Sequence, residues 1–229
     1  MTGTWGELFL AFAVFLVSHR IPTLPRVRQR LEARLGSIGF TVAYSLLSVV
    51  LLAWLILAAG NAPFVPLWDQ ALWQRWLANL VMPVALALAV FGLGAPNPLS
   101  FGGRAAGFDP EHPGIAGVMR HPLLWALALW SAVHLVVNGD LAHVLLFGSF
   151  TGFSVLGMWA IDRRKQRVMG AEVWAGLARS TSTWPFAALV QGRWRPVAGP
   201  GLWRSLVWVV IWLGVVLLHA PVIGVAPLP

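Results

Sequence analysis

Six long apolar runs make up about half of this chain of 229 residues. They cover residues 3–19, 38–59, 77–94, 121–138, 141–161 and 206–224. A helix needs about 17–25 apolar residues to cross the hydrocarbon core of a bilayer. Only 10% of the residues are charged, whereas soluble domains carry about 25%. The sequence therefore predicts an all-α, polytopic membrane helix bundle with about six transmembrane helices, forming a single domain over residues 1–229.

Basic residues are distributed unevenly among the segments that connect these runs. Of the sixteen arginines and lysines, five follow the first run, two lie between the third and fourth, and eight lie between the fifth and sixth. Only Arg75 lies on the other side. Because basic loops stay in the cytoplasm, we expect both termini on the outer side. The first run lacks a basic leader and a cleavage site, so we expect a retained helix.

The net charge of +8 raises the question of nucleic acid binding. These basic residues lie beside predicted membrane ends, where anionic headgroups attract each of them by about 1 kcal/mol. We therefore expect membrane lipids as the charged partner, and no nucleic acid. The chain has no cysteine, which excludes disulfides and thiolate ligands.

The stretch RHPLLWALALWSAVHLVVNGD, from Arg120 to Asp140, places an imidazole inside a predicted membrane helix. Trp130 lies four residues before His134 and Asn138 four residues after it, so the three share one helix face. An ionisable group within a membrane helix is costly and usually functional. We expect His134 to be a ligand or redox site; the alternative is a structural imidazole bonded across helices. We also expect Asp140 to cap the next helix.

The other histidines have competing interpretations. His19 ends the first run, where it is either a ligand or a side chain that reaches the interface. His121 begins the fourth run, and Pro122 suits a helix start, so His121 is either a cofactor group or a cap. We expect structural roles for His143 and His219, and we expect His112 to be solvated.

A bis-histidine haem suits these residues best, because haem iron accepts neutral imidazoles from helices in an apolar bundle. Zinc prefers a tighter and more polar cluster of ligands. The sequence has no HExxH motif and no paired carboxylates within an apolar run, so hydrolytic chemistry is poorly supported.

Several segments together resemble the NnrU family of integral membrane proteins. They are FLVSHR, LGSIGFTVAYSLLS, LVMP, NPLSFGG, GIAGVMRHPLLWALALWSAVHLVVNGDLAHVLLFGSF, DRRK, TSTWPFAALVQGRW and LLHAPVIGVAP. The resemblance implies a multi-pass protein of the bacterial inner membrane with periplasmic termini, associated with denitrification and nitric oxide metabolism. It also implies kinship with the plastid 15-cis-ζ-carotene isomerase, a haem b protein that acts on a lipophilic polyene.

That kinship implies haem b as the cofactor and a haem-dependent cis–trans isomerase as the enzyme class. It places the metal ligands on His19 and His134, with His121 as an alternate ligand or supporting group. Arg120, Trp130 and Asn138 are then candidate cofactor-binding residues. Ser131 stands where the plastid enzyme has a cysteine. No residue is assigned a catalytic role.

Two alternatives stay open. RHPLLW, the helix hairpin and TSTWPF are also similar to isoprenylcysteine-type membrane methyltransferases, which bind S-adenosylmethionine beside an Arg-His-Pro. Those enzymes usually carry a Glu pair after the hairpin, where this chain has Asp162-Arg163-Arg164. The second alternative is a non-enzymatic accessory factor whose partner is a respiratory nitric oxide or nitrite reductase.

Overall fold

A computed structural model describes residues 3–228 of the chain. Its residues form two compact units. One runs to Asp69 and takes in Gly139–Leu146, and the other comprises Gln70–Asn138 and all residues from Phe147 onward. The prediction of a single domain stays a prediction. Over residues 3–228 the secondary structure is helical, with two isolated β-bridges and no strand. The predicted all-α class is confirmed.

Each predicted apolar run falls on one helix. The described residues contain nine α-helices and one 3-10 helix (Ile21–Thr23): α1 Trp5–Arg20, α2 Pro25–Asn61, α3 Leu72–Gly92, α4 Ile115–Val118, α5 Pro122–Asn138, α6 Leu141–Met169, α7 Ala171–Ala178, α8 Ala187–Val190 and α9 Leu202–Ile223.

Four helices are long and apolar enough to cross a membrane: α2, α3, α6 and α9. Helix α1 has 16 residues and α5 has 17, so at 1.5 Å per residue each is about 25 Å long. The helices therefore support a membrane protein. The count of six crossings and the sides of the termini stay predictions.

Proline, aspartate and threonine define where three of these helices begin. Pro122 is the first residue of α5, a position where its missing N–H is not needed. Asp140 precedes α6, and its Oδ1 accepts a hydrogen bond from the backbone N–H of His143 at 3.2 Å. This contact confirms Asp140 as the predicted cap. Thr4 caps α1 in the same way, through the N–H of Glu7.

In the first unit, α1 packs against α2. Apart from Phe40, the buried side chains of these two helices are small or aliphatic, and include Leu8, Ala11, Leu55 and Ala58. Small residues allow helix backbones to approach closely in lipid, where no hydrophobic force drives association. Close packing of this kind holds the N-terminal helix on α2.

In the second unit, α3 packs against α5 and α9, and Leu88, Met119 and Ala126 form a buried apolar cluster. Gly92 allows α3 to lie close to the start of α5, because a Cβ there would lie 2.8 Å from Cγ of Pro122. Arg204 of α9 donates to the carbonyls of Val90, Phe91 and Leu93. These bonds satisfy the last carbonyls of α3.

Candidate functional site

His134 lies half-buried on α5, between aromatic rings of α5 and α6. The ring centroids of Trp130 and Phe147 lie 5.3 and 5.1 Å from that of His134. Phe150 contacts Trp130, with ring centroids 6.0 Å apart. We call Trp130, His134, Phe147 and Phe150 the His134 cluster. A hydrogen bond 2.8 Å long between Ser131 Oγ and Thr151 Oγ1 also connects α5 to α6.

The backbone fixes the tautomer of His134. Its Nδ1 lies 2.7 Å from the carbonyl oxygen of Trp130. A carbonyl only accepts, so Nδ1 carries the hydrogen and donates it. In the neutral ring the lone pair is therefore on Nε2. Metal-binding histidines use the same arrangement, in which one ring nitrogen donates to a carbonyl and the other binds the metal.

Polar side chains secure the end of α5 beyond His134. Asn138 donates to the carbonyl of His134 at 2.7 Å. Two glutamines of the same unit also bind this end of the helix: Gln74 donates to the carbonyl of Val136, and Gln70 donates to that of Val137. These bonds satisfy carbonyls at the end of the helix. Asn138, predicted to contact a cofactor, thus acts on the backbone of His134 and shares a helix face with Trp130.

His19 has the same local geometry in the first unit. Its Nδ1 lies 2.7 Å from the carbonyl of Phe15, one turn earlier on α1, and its ring is half-buried against Phe15 and Tyr44. The lone pair of neutral His19 is therefore also on Nε2. The two histidines predicted to bind iron share this tautomer.

A second group of polar side chains surrounds Arg120, which is 8% exposed. Its Nη1 donates to Asp162 Oδ2 at 2.5 Å, and its Nε donates to Thr181 Oγ1 at 2.9 Å. Thr183 Oγ1 lies 3.4 Å from the same Nη1. We call Ser100, Arg120, His121, Asp162, Thr181 and Thr183 the Arg120 cluster.

His121 is fully buried in the Arg120 cluster. Its Nε2 donates to Asp162 Oδ1 at 3.1 Å, and its Nδ1 lies 2.9 Å from Ser100 Oγ. With Nε2 protonated, a neutral His121 accepts at Nδ1 from the serine hydroxyl. Asp162 then balances Arg120, and the buried cluster has no net charge. Both ring nitrogens are engaged, so a role for His121 as a metal ligand stays a prediction that requires these bonds to break.

Backbone contacts hold the Arg120 cluster together from two loops. The carbonyl oxygen of Arg120 accepts a hydrogen bond from Asn97 Nδ2 at 2.8 Å. The backbone N–H of Arg120 donates to the carbonyl oxygen of Ser182 at 2.7 Å. Trp125 of α5 donates from Nε1 to Thr183 O at 2.8 Å. The segment TSTWPF is therefore fastened to the start of α5.

Trp174 of α7 covers the guanidinium of Arg120. The Cζ of Arg120 lies 4.7 Å from the centroid of the indole ring, a cation–π geometry. Within residues 3–228, its Nε1 is a buried side-chain donor without a hydrogen-bond partner. The indole thus contributes its face rather than its N–H to the Arg120 cluster.

Asp162 was not predicted as the partner of Arg120 and His121. The signal was present, because Asp162 is the first charged residue after an apolar run and is followed by three basic residues. Thr181 and Thr183 were also visible as a polar TST within a segment of the family resemblance. Their contacts with Arg120 join residues about sixty positions apart, which no local pattern predicts.

The remaining histidines have local partners. His143 Nδ1 donates to Asp140 Oδ2 at 2.7 Å, and His219 Nδ1 donates to the carbonyl of Val225 at 2.7 Å. His112 is exposed, as predicted, and its Nδ1 lies 2.8 Å from Asp109 Oδ2. That hydrogen bond, with one from the backbone N–H of Glu111, lowers the pKa of Asp109.

No group of three or more histidine, aspartate or glutamate side chains in the described residues could hold a metal ion by itself. A metal carried within its own planar ligand needs only one or two axial donors from the protein. His19 and His134, each a single imidazole among aromatic rings, are donors of the kind that such a planar metal complex needs.

The model of the NnrU protein family matches residues 7–227. The chain belongs to the NnrU family. No curated protein and no solved structure matches it. The matched range includes the residues of both the His134 cluster and the Arg120 cluster.

Proposed function

We propose that this NnrU-family protein binds haem b through intramembrane histidines, in a six-helix bundle of the bacterial inner membrane with periplasmic termini. His134 and His19 would hold the iron, with His121 as the alternate ligand. The observation that carries the proposal is the Nδ1–H donation of His134 to Trp130 O, because it puts the ring's lone pair on Nε2 in an aromatic setting.

The residues of the His134 cluster fit a porphyrin. Phe147 and Phe150 are 6% exposed, and flat aromatic rings pack well against a flat macrocycle. The bond to a main-chain carbonyl raises the basicity of the imidazole and fixes its orientation. His19, with Phe15 and Tyr44, repeats these features.

Haem, when bound, would supply one-electron redox chemistry at its iron. The chain's own contribution is to hold the imidazoles. Trp130 O keeps Nδ1 protonated, and Asn138 binds the carbonyl of His134. The aromatic rings exclude water and favour a lipophilic substrate. The resemblance to the plastid isomerase favours a redox-dependent cis–trans isomerisation of a lipophilic polyene. The alternative reaction is a step in nitric oxide metabolism.

An optical spectrum of detergent-purified protein, supplemented with haem during expression, tests the proposal. We expect a Soret band in the oxidised protein that shifts and sharpens on reduction, as for two imidazole ligands. His134→Ala should abolish the band or convert it to that of a five-coordinate haem. His219→Ala is the matched control, because His219 also donates from Nδ1 to a carbonyl, and should leave the spectrum unchanged.

Two results would count against haem binding. One is the absence of a Soret band in both oxidation states despite supplementation. The other is a spectrum that is identical in the wild type, His19→Ala and His134→Ala. If haem binds, conversion of a cis-polyene by the reduced protein, followed by chromatography, separates the isomerase from a role in nitric oxide metabolism.

The methyltransferase alternative is less well supported by the Arg120 cluster. The polar atoms of Arg120 and His121 are bonded to Asp162, Ser100 and Thr181, so S-adenosylmethionine at this place would have to displace those bonds. Calorimetry with S-adenosylmethionine distinguishes the two hypotheses, since the haem proposal expects no heat of binding. An accessory factor, in contrast, would still support its partner reductase after replacement of His19 and His134.

A further inference from the structure

The first eleven residues of α2 differ from the rest of that helix. The segment 25–35, PRVRQRLEARL, is basic, whereas the remainder of α2 contains a stretch apolar enough to cross a membrane. Gly36 separates them with φ 71° and ψ 166°, well outside the helical region. A Cβ at Gly36 would have no atom within 4 Å. Glycine is therefore required by the backbone conformation and not by space.

Three arginines of this segment form a stripe. Arg26, Arg30 and Arg34 are spaced four residues apart, which places them along one side of the helix. All three are exposed, and no ion pair among the described residues includes them. We call these residues the arginine stripe. Val27 and Leu31 follow Arg26 and Arg30 by one position, so an apolar stripe runs beside the arginine stripe.

The other charges of the segment neutralise each other. Arg28 Nε donates to Glu32 Oε1 at 2.9 Å, one turn later. The Cζ of Arg28 also lies 5.5 Å from the centroid of Phe40, beyond Gly36. The net positive charge of segment 25–35 is therefore concentrated on the arginine stripe.

We propose that segment 25–35 is an interfacial helix whose arginine stripe binds the phosphates of anionic phospholipid headgroups. Helices that lie in the membrane surface combine an apolar face with cationic side chains at its border. Arginine stems cover apolar surface while their heads reach the headgroups, and a guanidinium can donate two parallel bonds to a phosphate. Gly36 then forms the corner between this helix and the membrane-spanning part of α2.

This inference is independent of haem binding, since it uses different residues and a different ligand. A general attraction of basic loops to lipid would involve every arginine of the segment. Here the binding belongs to the three arginines on one side of the helix, and Arg28 takes no part.

The absence of cysteine from the chain allows a direct test on the full-length protein. Ala33→Cys places one nitroxide label on an exposed residue beside the arginine stripe. The protein is reconstituted into two kinds of nanodisc, one of phosphatidylcholine alone and one that also contains about 30% phosphatidylglycerol. The mobility of the label is measured by EPR. We expect the label to become markedly less mobile in the anionic nanodiscs, and 0.5 M salt, chosen to screen charges, to reverse most of this change.

Two variants in the same labelled background separate the arginine stripe from charge in general. R26Q/R30Q/R34Q should remove the dependence on phosphatidylglycerol, since each arginine contributes about five-fold in lipid affinity. R28Q/E32Q removes the neutralised pair without changing the net charge, and should preserve the dependence.

Native mass spectrometry provides a second readout. The wild type and R28Q/E32Q should retain more phosphatidylglycerol than R26Q/R30Q/R34Q. Equal label mobility in both lipid compositions would overturn the proposal. So would an unchanged lipid response in the triple variant, or a loss of response in R28Q/E32Q as large as that in the triple variant.

Discussion

His121 and His134 stand thirteen residues apart at the start and near the end of α5, and both approach α6, yet their surroundings differ in kind. His121 is fully buried and its ring is bonded to a carboxylate and a hydroxyl. His134 is half-buried among aromatic rings and its Nδ1 is bonded to its own helix.

We therefore assign a fold-stabilising role to the Arg120 cluster and propose the His134 cluster as the ligand site. In the Arg120 cluster, Asp162 compensates Arg120 and accepts from His121, so the buried charges satisfy one another. Removing one partner of such a group is costly, because the others stay buried without compensation. In the His134 cluster the imidazole lies among aromatic rings, and its Nε2 holds the lone pair that a metal needs.

Removal of Asp162 should have the largest effect. Asp162→Ala leaves Arg120 and His121 without their shared acceptor, and we expect a loss of about 3–5 kcal/mol in the free energy of unfolding. The measurement is the thermal midpoint and the yield of monodisperse protein by size-exclusion chromatography. An Asp162→Ala protein as stable as the wild type would show that the Arg120 cluster does not hold the fold.

The two histidines should respond differently to the same substitution. His121→Phe leaves Asp162 and Ser100 with an unsatisfied bond each, so we expect a loss of about 1–3 kcal/mol. His134→Phe replaces a ring among aromatic rings and should cost less than about 1 kcal/mol. Denaturant titrations followed by tryptophan fluorescence compare the two variants. The reverse order of stability would contradict the separation of roles.

Ser131 connects the His134 cluster to α6 and should have a smaller effect. Ser131→Ala removes the bond to Thr151, but Thr151 keeps its bond to the carbonyl of Phe147. We expect a loss of about 0.5–1.5 kcal/mol in the free energy of unfolding, from the same titrations. A loss as large as that in Asp162→Ala would mean that the α5–α6 contact depends on this bond.

The exposed pair Asp109 and His112 provides the reference for a buried His–Asp pair, and its effect should be the smallest. The hydrogen bond from His112 holds the pKa of Asp109 below its usual value. A lowered carboxyl pKa adds stability at pH values above the unfolded pKa, and that stability is lost as the pH falls through the folded value. Asp109→Asn removes this contribution at pH 7, but solvent screens an exposed pair, so we expect a decrease in the thermal midpoint far smaller than that of Asp162→Ala. A decrease in the thermal midpoint as large as that of Asp162→Ala would show that burial does not decide how much a His–Asp pair stabilises the fold.

Apolar length and helix signals predicted much of the fold. Each predicted apolar run lies on a helix, Pro122 begins α5 and Asp140 caps α6. The short helices α4, α7 and α8 and the break at Gly36 were not predicted, because they depend on local turns and contacts within otherwise polar segments. Helix α6 also extends to Met169, beyond the predicted end at residue 161, because basic residues can continue a helix outside the apolar core.

The candidate site was predicted in part. The shared face of Trp130, His134 and Asn138 follows from helical spacing, and the structure has the corresponding contacts. The partner of Arg120 and His121 does not follow from spacing, because Asp162 lies more than forty residues away. The pairing of His19 with His134 on one iron stays a prediction.

A haem titration of two variants tests the separation of roles most directly. Purified apoprotein is titrated with haem, and the Soret absorbance gives affinity and stoichiometry for the wild type, His134→Ala and His121→Asn, each first shown to be folded by circular dichroism. The account predicts that His134→Ala loses tight binding or the six-coordinate spectrum, while folded His121→Asn retains both. Retention of the wild-type spectrum by His134→Ala, with its loss in folded His121→Asn, would contradict it.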